Sequence, residues 1–215
     1  MNKFVVLISG YGSNLEAMCN SGLAPHIAAV ISNKKDVRGL TIATKYNIPT
    51  RVIEHTSFKS RKEFDQGLRE QIDTYSPMFV VLAGFMRILT KEFVDHYQNR
   101  LINIHPSILP AFIGPAAQED ALTKKVKVTG ATVHFVTVAL DSGPTIAQGV
   151  VPLKHDDTLA VIKTRIRELE HTIYPFVIKK YLAGQISSGP DNAVIVKPDD
   201  KDITLTGKFH HHIFY

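Results

Sequence analysis

The stretch KFVVLISGYGSN, residues 3–14, decides how the rest of the chain reads. Phe4 to Ile8 form an unbroken apolar run with no polar alternation, the mark of a strand covered on both faces. Gly10 and Gly12 then turn the chain, and a helix is expected from about Leu15 to Cys19, capped by Ser13 or Asn14. Strand, glycine turn and helix make the first unit of a βα repeat.

The repeat recurs. IAAVIS (27–32), TRVI (50–53), MFVVLAG (78–84) and LINI (101–104) read as further strands, separated by helical segments. The longest of those segments runs from Arg61 to about Thr74, with Phe64, Leu68 and Ile72 four residues apart on one face. After residue 112 the sequence predicts a short helix over 117–124, strands over 131–138 and 145–153, and a long helix from Leu159 to about Leu182. SSGPDN (187–192) punctuates its end, and AVIV and ITL on either side of KPDDKD suggest a hairpin. The expected fold is α/β: an open, mostly parallel twisted sheet with helices on both faces. One domain over 1–187 follows, with halves 1–100 and 101–187 and a C-terminal extension over 188–215.

With 215 residues, 44% of them hydrophobic and 21% charged, the chain has the composition of a soluble globular protein with a sizeable core. A formal net charge of +5, without a dense Lys/Arg block, suits an anionic small substrate better than nucleic acid. Cys19 is the single cysteine, which excludes an internal disulfide and a cysteine metal cluster, and it reads as a half-buried thiol. The run Phe4–Ile8 is too short for a signal peptide, and no segment reaches the roughly 18 apolar residues of a membrane span, so a cytoplasmic protein is expected.

Gly10 and Gly12 present the start of a helix, whose free N–H groups and positive dipole end attract anions. A Walker loop is excluded, since no Lys followed by Ser or Thr is there. The dinucleotide fingerprint fails too: its third glycine position holds Leu15, and the second strand closes on Ser32, Asn33 and Lys34 instead of an acid. Either a phosphate monoester binds here or the glycines merely turn the chain.

Asn103 and His105 sit two residues apart at the end of the LINI strand, hence on one face, and Pro106 stops that strand. Ligands of open α/β sheets bind at such carboxyl ends. Asp141 stands in the turn ALDSGPT after another strand. An amide, an imidazole and a carboxylate suit acyl transfer: the amide stabilises an oxyanion, the imidazole moves protons and the carboxylate orients the imidazole. A satisfied structural histidine and a turn-forming aspartate account for the same residues, and His134 is expected to be structural or to support the site from behind. No serine elbow or Cys–His pair supplies a nucleophile, so direct transfer between two bound substrates is the chemistry suggested. Metal binding is not expected, the His210–His212 run being in a terminal tail.

Five segments in register carry a resemblance: VVLISGYGSNLEA, VLAGFMRILT, INIHPSILPAFIG, GATVHFVTVALDSGPTIAQ and ELEHTIYPFVI. Together, from about residue 3 to residue 182, they resemble the phosphoribosylglycinamide formyltransferase family, folate-dependent enzymes of purine synthesis with a Rossmann-like fold. The resemblance implies that Asn103, His105 and Asp141 are the catalytic trio. It implies that Gly12, Ser13 and Asn14 hold the phosphate of glycinamide ribonucleotide, with Arg167 and Glu170 on the same substrate. The folate pocket would be bordered by Arg61, Met86, Arg87, Ile88 and Leu89, by Asn103, and by Thr137, Val138, Ala139, Leu140 and Asp141. It further implies 10-formyltetrahydrofolate as co-substrate, no tightly bound cofactor, small-molecule partners only, and a monomer or homodimer. One departure is visible: where the family carries a histidine after LPAFIG, this chain reads Pro115, Ala116, Ala117, Gln118, Glu119, Asp120. Two alternatives share the scaffold, formyltetrahydrofolate deformylase and a non-catalytic folate- or nucleotide-binding protein. The deformylase resembles this chain plus an N-terminal regulatory domain, for which a first strand starting at residue 3 leaves no room, and it lacks a turn like SGYGSN.

Overall fold

The structure, a computed structural model, describes residues 2–188 and 193–197 and the backbone of 213–214. The chain forms two compact units, Met1–Asn103 with Val136–Val138, and Ile104–Phe135 with Ala139–Tyr215.

In the first unit, β1 (Phe4–Ile8), β2 (Ile27–Ser32), β3 (Thr50–Val52), β4 (Phe79–Leu82) and the first part of β5 (Leu101–His105) pair in parallel, in the order β3-β2-β1-β4-β5. Parallel neighbours require crossovers, which α1 (Ser13–Met18), α2 (Arg38–Lys45), α3 (Arg61–Asp73) and α4 (Lys91–His96) supply. Both faces of the sheet are therefore covered, and all five residues of β1 are buried, as its apolar run predicts. On one face Val5, Leu7, Ile31, Val80 and Leu82 pack against Phe64, Leu68 and Ile72 of α3, Phe93 of α4 and Tyr97 just after it. On the other, Gly39 of α2 lies over Ile8, so close that a Cβ there would stand 2.5 Å from the Ile8 Cδ1. Side chains cap the start of helix α3: Ser60 Oγ accepts the Glu63 N–H at 3.2 Å, and the Glu63 carboxylate accepts the Lys59 N–H at 3.1 Å.

In the second unit β6 (Val128–Phe135) and β7 (Thr145–Pro152) are antiparallel, flanked by α5 (Ala117–Thr123) and the 24-residue α6 (Leu159–Leu182). The strand expected over 131–138 is displaced. It starts at Val128 because β7 pairs down to Val128↔Pro152, and it stops at Phe135, whose N–H turns to the Pro144 carbonyl at 2.9 Å. Ser187 and Ser188 belong to a strand and are not a break: β8 (Ile186–Ser188) pairs antiparallel with β9 (Val194–Val196). The predicted hairpin partner ITL and the His210–His212 run lie outside the described residues. A short β10 (Ile213–Phe214) runs antiparallel to β7 at Gly149 and Gln148. Among the described residues no helix is long and apolar enough to cross a membrane.

The backbones of β6 and β7 come closest at two glycines. A Cβ on Gly130 would lie 1.8 Å from the Gly149 carbonyl oxygen, and one on Gly149 would lie 2.5 Å from the Leu169 Cδ1 of α6. Gly130→Ala is therefore expected to destabilise the fold by about 3 kcal/mol, the upper range for an overpacked interior, read as a lower urea midpoint with the slope unchanged.

Candidate active site

His105 ends β5 with only 6% of its surface exposed. Its Nε2–H donates to the Phe112 carbonyl at 2.8 Å, and its Nδ1 lies 3.3 Å from Asp141 Oδ2. Each ring nitrogen thus faces an acceptor, a pattern that the two N–H groups of an imidazolium satisfy. The same Asp141 oxygen accepts the Gly114 N–H at 3.1 Å, while Oδ1 lies 4.0 Å from His134 Nε2. The carboxylate side chain is 9% exposed and sits between two imidazoles and a backbone N–H, the company that an enclosed charge requires. Burial pushes His134 below the ordinary imidazole range, with the Phe135 carbonyl and Asp141 opposing and the His105 charge adding to it. His134 Nδ1–H donates to the Phe135 carbonyl at 2.9 Å.

The loop after His105 is clamped in place. Thr132 Oγ1 donates to the Ser107 carbonyl at 2.7 Å and accepts the Leu109 N–H at 3.0 Å. Gln148 Nε2 donates to the Leu109 carbonyl at 2.8 Å and to Thr132 Oγ1 at 3.1 Å, and Ser107 Oγ donates to the Ala111 carbonyl at 2.6 Å. This clamp delivers the Phe112 carbonyl to His105, and Phe112 itself takes a left-handed φ of 56°. The reading of the sequence missed Thr132, Gln148 and Ser107. A signal was available for Thr132, which lies two residues from His134 and so on the same face of its strand.

In the first unit, the glycine turn differs from expectation in one respect. Neither Ser13 nor Asn14 caps α1; Gly12 is the N-cap residue, at φ 76°, and no side chain takes the cap hydrogen bond. A left-handed cap of this kind needs glycine, and a Cβ here would stand 2.6 Å from the Gly39 Cα. Asn14 is buried within α1. Cys19 is buried too, and burial, with the Glu16 carboxylate nearby, pushes its thiol up to about 11, so it supplies no thiolate nucleophile at neutral pH.

Met86, Arg87, Ile88 and Leu89 follow β4 in an irregular extended segment that alternates outward and inward, with Met86 73% and Ile88 62% exposed. Arg61 opens α3 at the surface, Asn103 is half-buried opposite Leu82 of β4, and Thr137 and Val138 close the unit. Ala139, Leu140 and Asp141 belong to the second unit, with Leu140 half-exposed and Asp141 at φ 47°. Arg167, exposed, and Glu170, half-buried, lie three residues apart on α6 and so on one face of it. Burial, with the Glu170 carboxylate beside it, raises the Tyr174 phenol well above its ordinary value. The departing segment forms the start of α5, where Glu119 pairs with Lys163 of α6 at 2.7 Å. Of the sequence-predicted residues, His105 and Asp141 are joined directly. Among the described residues no group of three His, Cys, Asp or Glu side chains is placed to hold a metal ion.

Comparison with known proteins bears on this arrangement. Residues 2–178 match the formyl transferase family. Phosphoribosylglycinamide formyltransferase of Escherichia coli is 45% identical over 188 residues, covering 86% of this chain and 89% of that protein. Trifunctional purine biosynthetic protein adenosine-3 of Bos taurus is 43% identical over 202 residues; the chain spans about a fifth, 20%, of that relative's length. Among solved structures, phosphoribosylglycinamide formyltransferase of Coxiella burnetii superposes with a TM-score of 0.86 at 46% identity, covering 92% of this chain and 95% of that one. Glycinamide ribonucleotide transformylase 1 of Symbiobacterium toebii gives 0.87 at 39% identity, with the same coverage. The chain has the α/β fold of these structures, and it belongs to the formyl transferase family, within it to the phosphoribosylglycinamide formyltransferases.

Proposed function

We propose that the chain transfers the formyl group of 10-formyltetrahydrofolate to the amine of glycinamide ribonucleotide, in purine biosynthesis. The observation that carries this reading is the buried His105–Asp141 pair, with a carbonyl oxygen already seated against the far nitrogen of the imidazole. In the substrate complex the formyl oxygen takes the place of the Phe112 carbonyl at His105 Nε2. The substrate amine attacks the formyl carbon, and the carbonyl π pair moves onto oxygen. His105 and the Asn103 amide donate to the resulting oxyanion, where preorganised donors are worth most. Asp141 holds the imidazole in orientation and keeps its charge compensated. Collapse of the intermediate breaks the bond to N10 of the folate, and the proton lost by the amine is passed to that nitrogen.

Substrate roles follow the same reading. Gly12, Ser13 and Asn14 receive the ribonucleotide phosphate at the start of α1, whose dipole end favours an anion, and the Asn14 side-chain amide donates to it. Arg167 and Glu170 contact the same substrate. Arg61, Met86–Leu89 and Thr137–Asp141 border the folate, the exposed Met86, Ile88, Val138 and Leu140 offering apolar surface to a flat ring system. Ribonucleotide binding thus draws chiefly on the first half of the chain, and the imidazole–carboxylate pair on the second. The names borne by relatives at 45% and 46% identity favour transfer over the deformylase alternative.

His105→Ala should lower kcat/KM about 10³-fold or more while both substrates still bind, measured by tetrahydrofolate release that depends on the ribonucleotide. Most of the activity surviving this change would remove His105 from the mechanism, and formate release without the ribonucleotide would instead indicate hydrolysis. Asn14→Ala should raise the ribonucleotide KM roughly tenfold or more, the cost of one hydrogen bond to a charged group, and leave the folate KM nearly unchanged. Equal weakening of both substrates would contradict the phosphate assignment.

A further inference from the structure

The segment Met86–Leu89 has no secondary structure of its own, and no hydrogen bond joins the backbone of Arg87, Ile88 or Leu89 to another described residue. It is nevertheless held at both ends by buried side chains from other elements. At its start the Met86 N–H donates to Ser9 Oγ at 2.8 Å. Ser9, one residue past β1 and 5% exposed, makes two more bonds: its hydroxyl donates to Asn33 Oδ1 at 2.6 Å, and its N–H donates to the Gly84 carbonyl at 3.2 Å. Asn33 in turn lies 3.1 Å, through Nδ2, from His55 Nδ1. At the far end the Thr90 N–H donates to Asp65 Oδ2 at 2.6 Å.

Asp65 is an unexpected residue on the inward face of α3, 2% exposed among Phe64, Leu68 and Ile72. Its second oxygen is buried without a hydrogen-bond partner, and so is the Nε of Arg87 in the segment itself. Burial raises its carboxyl above the usual carboxylate range, against the pull of the Thr90 N–H and the Arg61 and Arg87 charges. A carboxylate kept in an apolar face at such a cost calls for a reason beyond capping one helix. Between the two anchors, period-two alternation turns Met86 and Ile88 outward and Arg87 and Leu89 inward, so a strip of backbone without secondary structure is tied down at both ends.

We propose that Ser9 and Asp65 are positioning residues for the folate: they pin the two ends of the Met86–Leu89 segment so that its free backbone groups and exposed apolar side chains meet the pterin ring pre-organised. The inference rests on reading that segment as part of the folate site. An unpinned segment must be ordered by the ligand itself, which weakens binding without altering the chemical step.

Steady-state kinetics with each substrate varied in turn test this in the full chain. Ser9→Ala and Asp65→Ala should each raise the folate KM on the order of tenfold, with kcat and the ribonucleotide KM within about twofold of the parent. Asp65→Asn keeps an oxygen to accept the Thr90 N–H and should restore a folate KM close to the parent value. The double variant Ser9→Ala/Asp65→Ala should cost less than the product of the single effects, because a segment freed at one end has less order left to lose. A parallel rise of both KM values, or a loss of thermal stability with the folate KM unchanged, would overturn the proposal. If Asp65→Ala does not fold, Ser9→Ala decides alone. A parent enzyme without saturable dependence on formyl folate would sink the folate reading and this inference with it. If instead the Met86→Ala/Ile88→Ala variant raises the folate KM while Ser9→Ala and Asp65→Ala do not, the folate reading stands and the inference alone falls.

Discussion

A carboxylate that is nine-tenths enclosed has to be given partners, and the local structure of the second unit is arranged around that requirement at Asp141. One oxygen takes the Gly114 N–H and faces His105; the other faces His134. Each of those partners is placed by a separate device. His105 stands on the last residue of a strand, Gly114 at the end of a loop, and His134 on a neighbouring strand whose register slips between Val133 and His134. Asp141 itself takes a left-handed φ of 47° in the turn that brings it there. Remove the carboxylate and both the Nδ1 of His105 and the Gly114 N–H lose their acceptor.

The loop from Pro106 to Gly114 shows how much polar bonding it takes to hold an irregular segment still. Thr132 and Gln148 reach it from the strands β6 and β7, and Ser107 closes it on itself. A loop without a ladder has to satisfy its backbone groups by side chains, and here the same side chains fix the orientation of the Phe112 carbonyl. The first unit solves the same problem at the carboxyl ends of its parallel strands. Ser9 after β1 bonds both Asn33 after β2 and Gly84 after β4, so the apolar strands give way to a polar rim where the chain must turn.

Much of this was legible from residue order, and the failures have identifiable causes. The apolar runs located β1, β2, β4 and β5, and the spacing of Phe64, Leu68 and Ile72 located the buried face of α3, because burial on both faces of a sheet or on one face of a helix imposes those patterns directly. The boundaries of β6 could not be read, because β7 and the Pro144 carbonyl set them, and both are remote in sequence. The expectation of a Ser13 or Asn14 cap failed for a related reason. Gly12 itself takes the cap in a left-handed conformation, and Gly39 of another helix comes too close to admit a side chain there. Asp65 escaped notice since a charge in an apolar helical face reads as solvent-exposed until its partner on a distant segment is seen.

By itself, then, the order of residues determined the α/β class, the glycine turn, and the chemical kinds of groups at the strand ends, since periodicity and composition are local and need no partner to be recognised. Only the tertiary structure decided which acceptors face the two nitrogens of His105, that Thr132 and Gln148 hold the loop that brings one of them there, and that Ser9 and Asp65 hold the ends of an otherwise unpaired segment. Hydrogen bonds act over about 3 Å, and the groups joined here are many residues apart along the chain, so nothing short of folding brings them within reach.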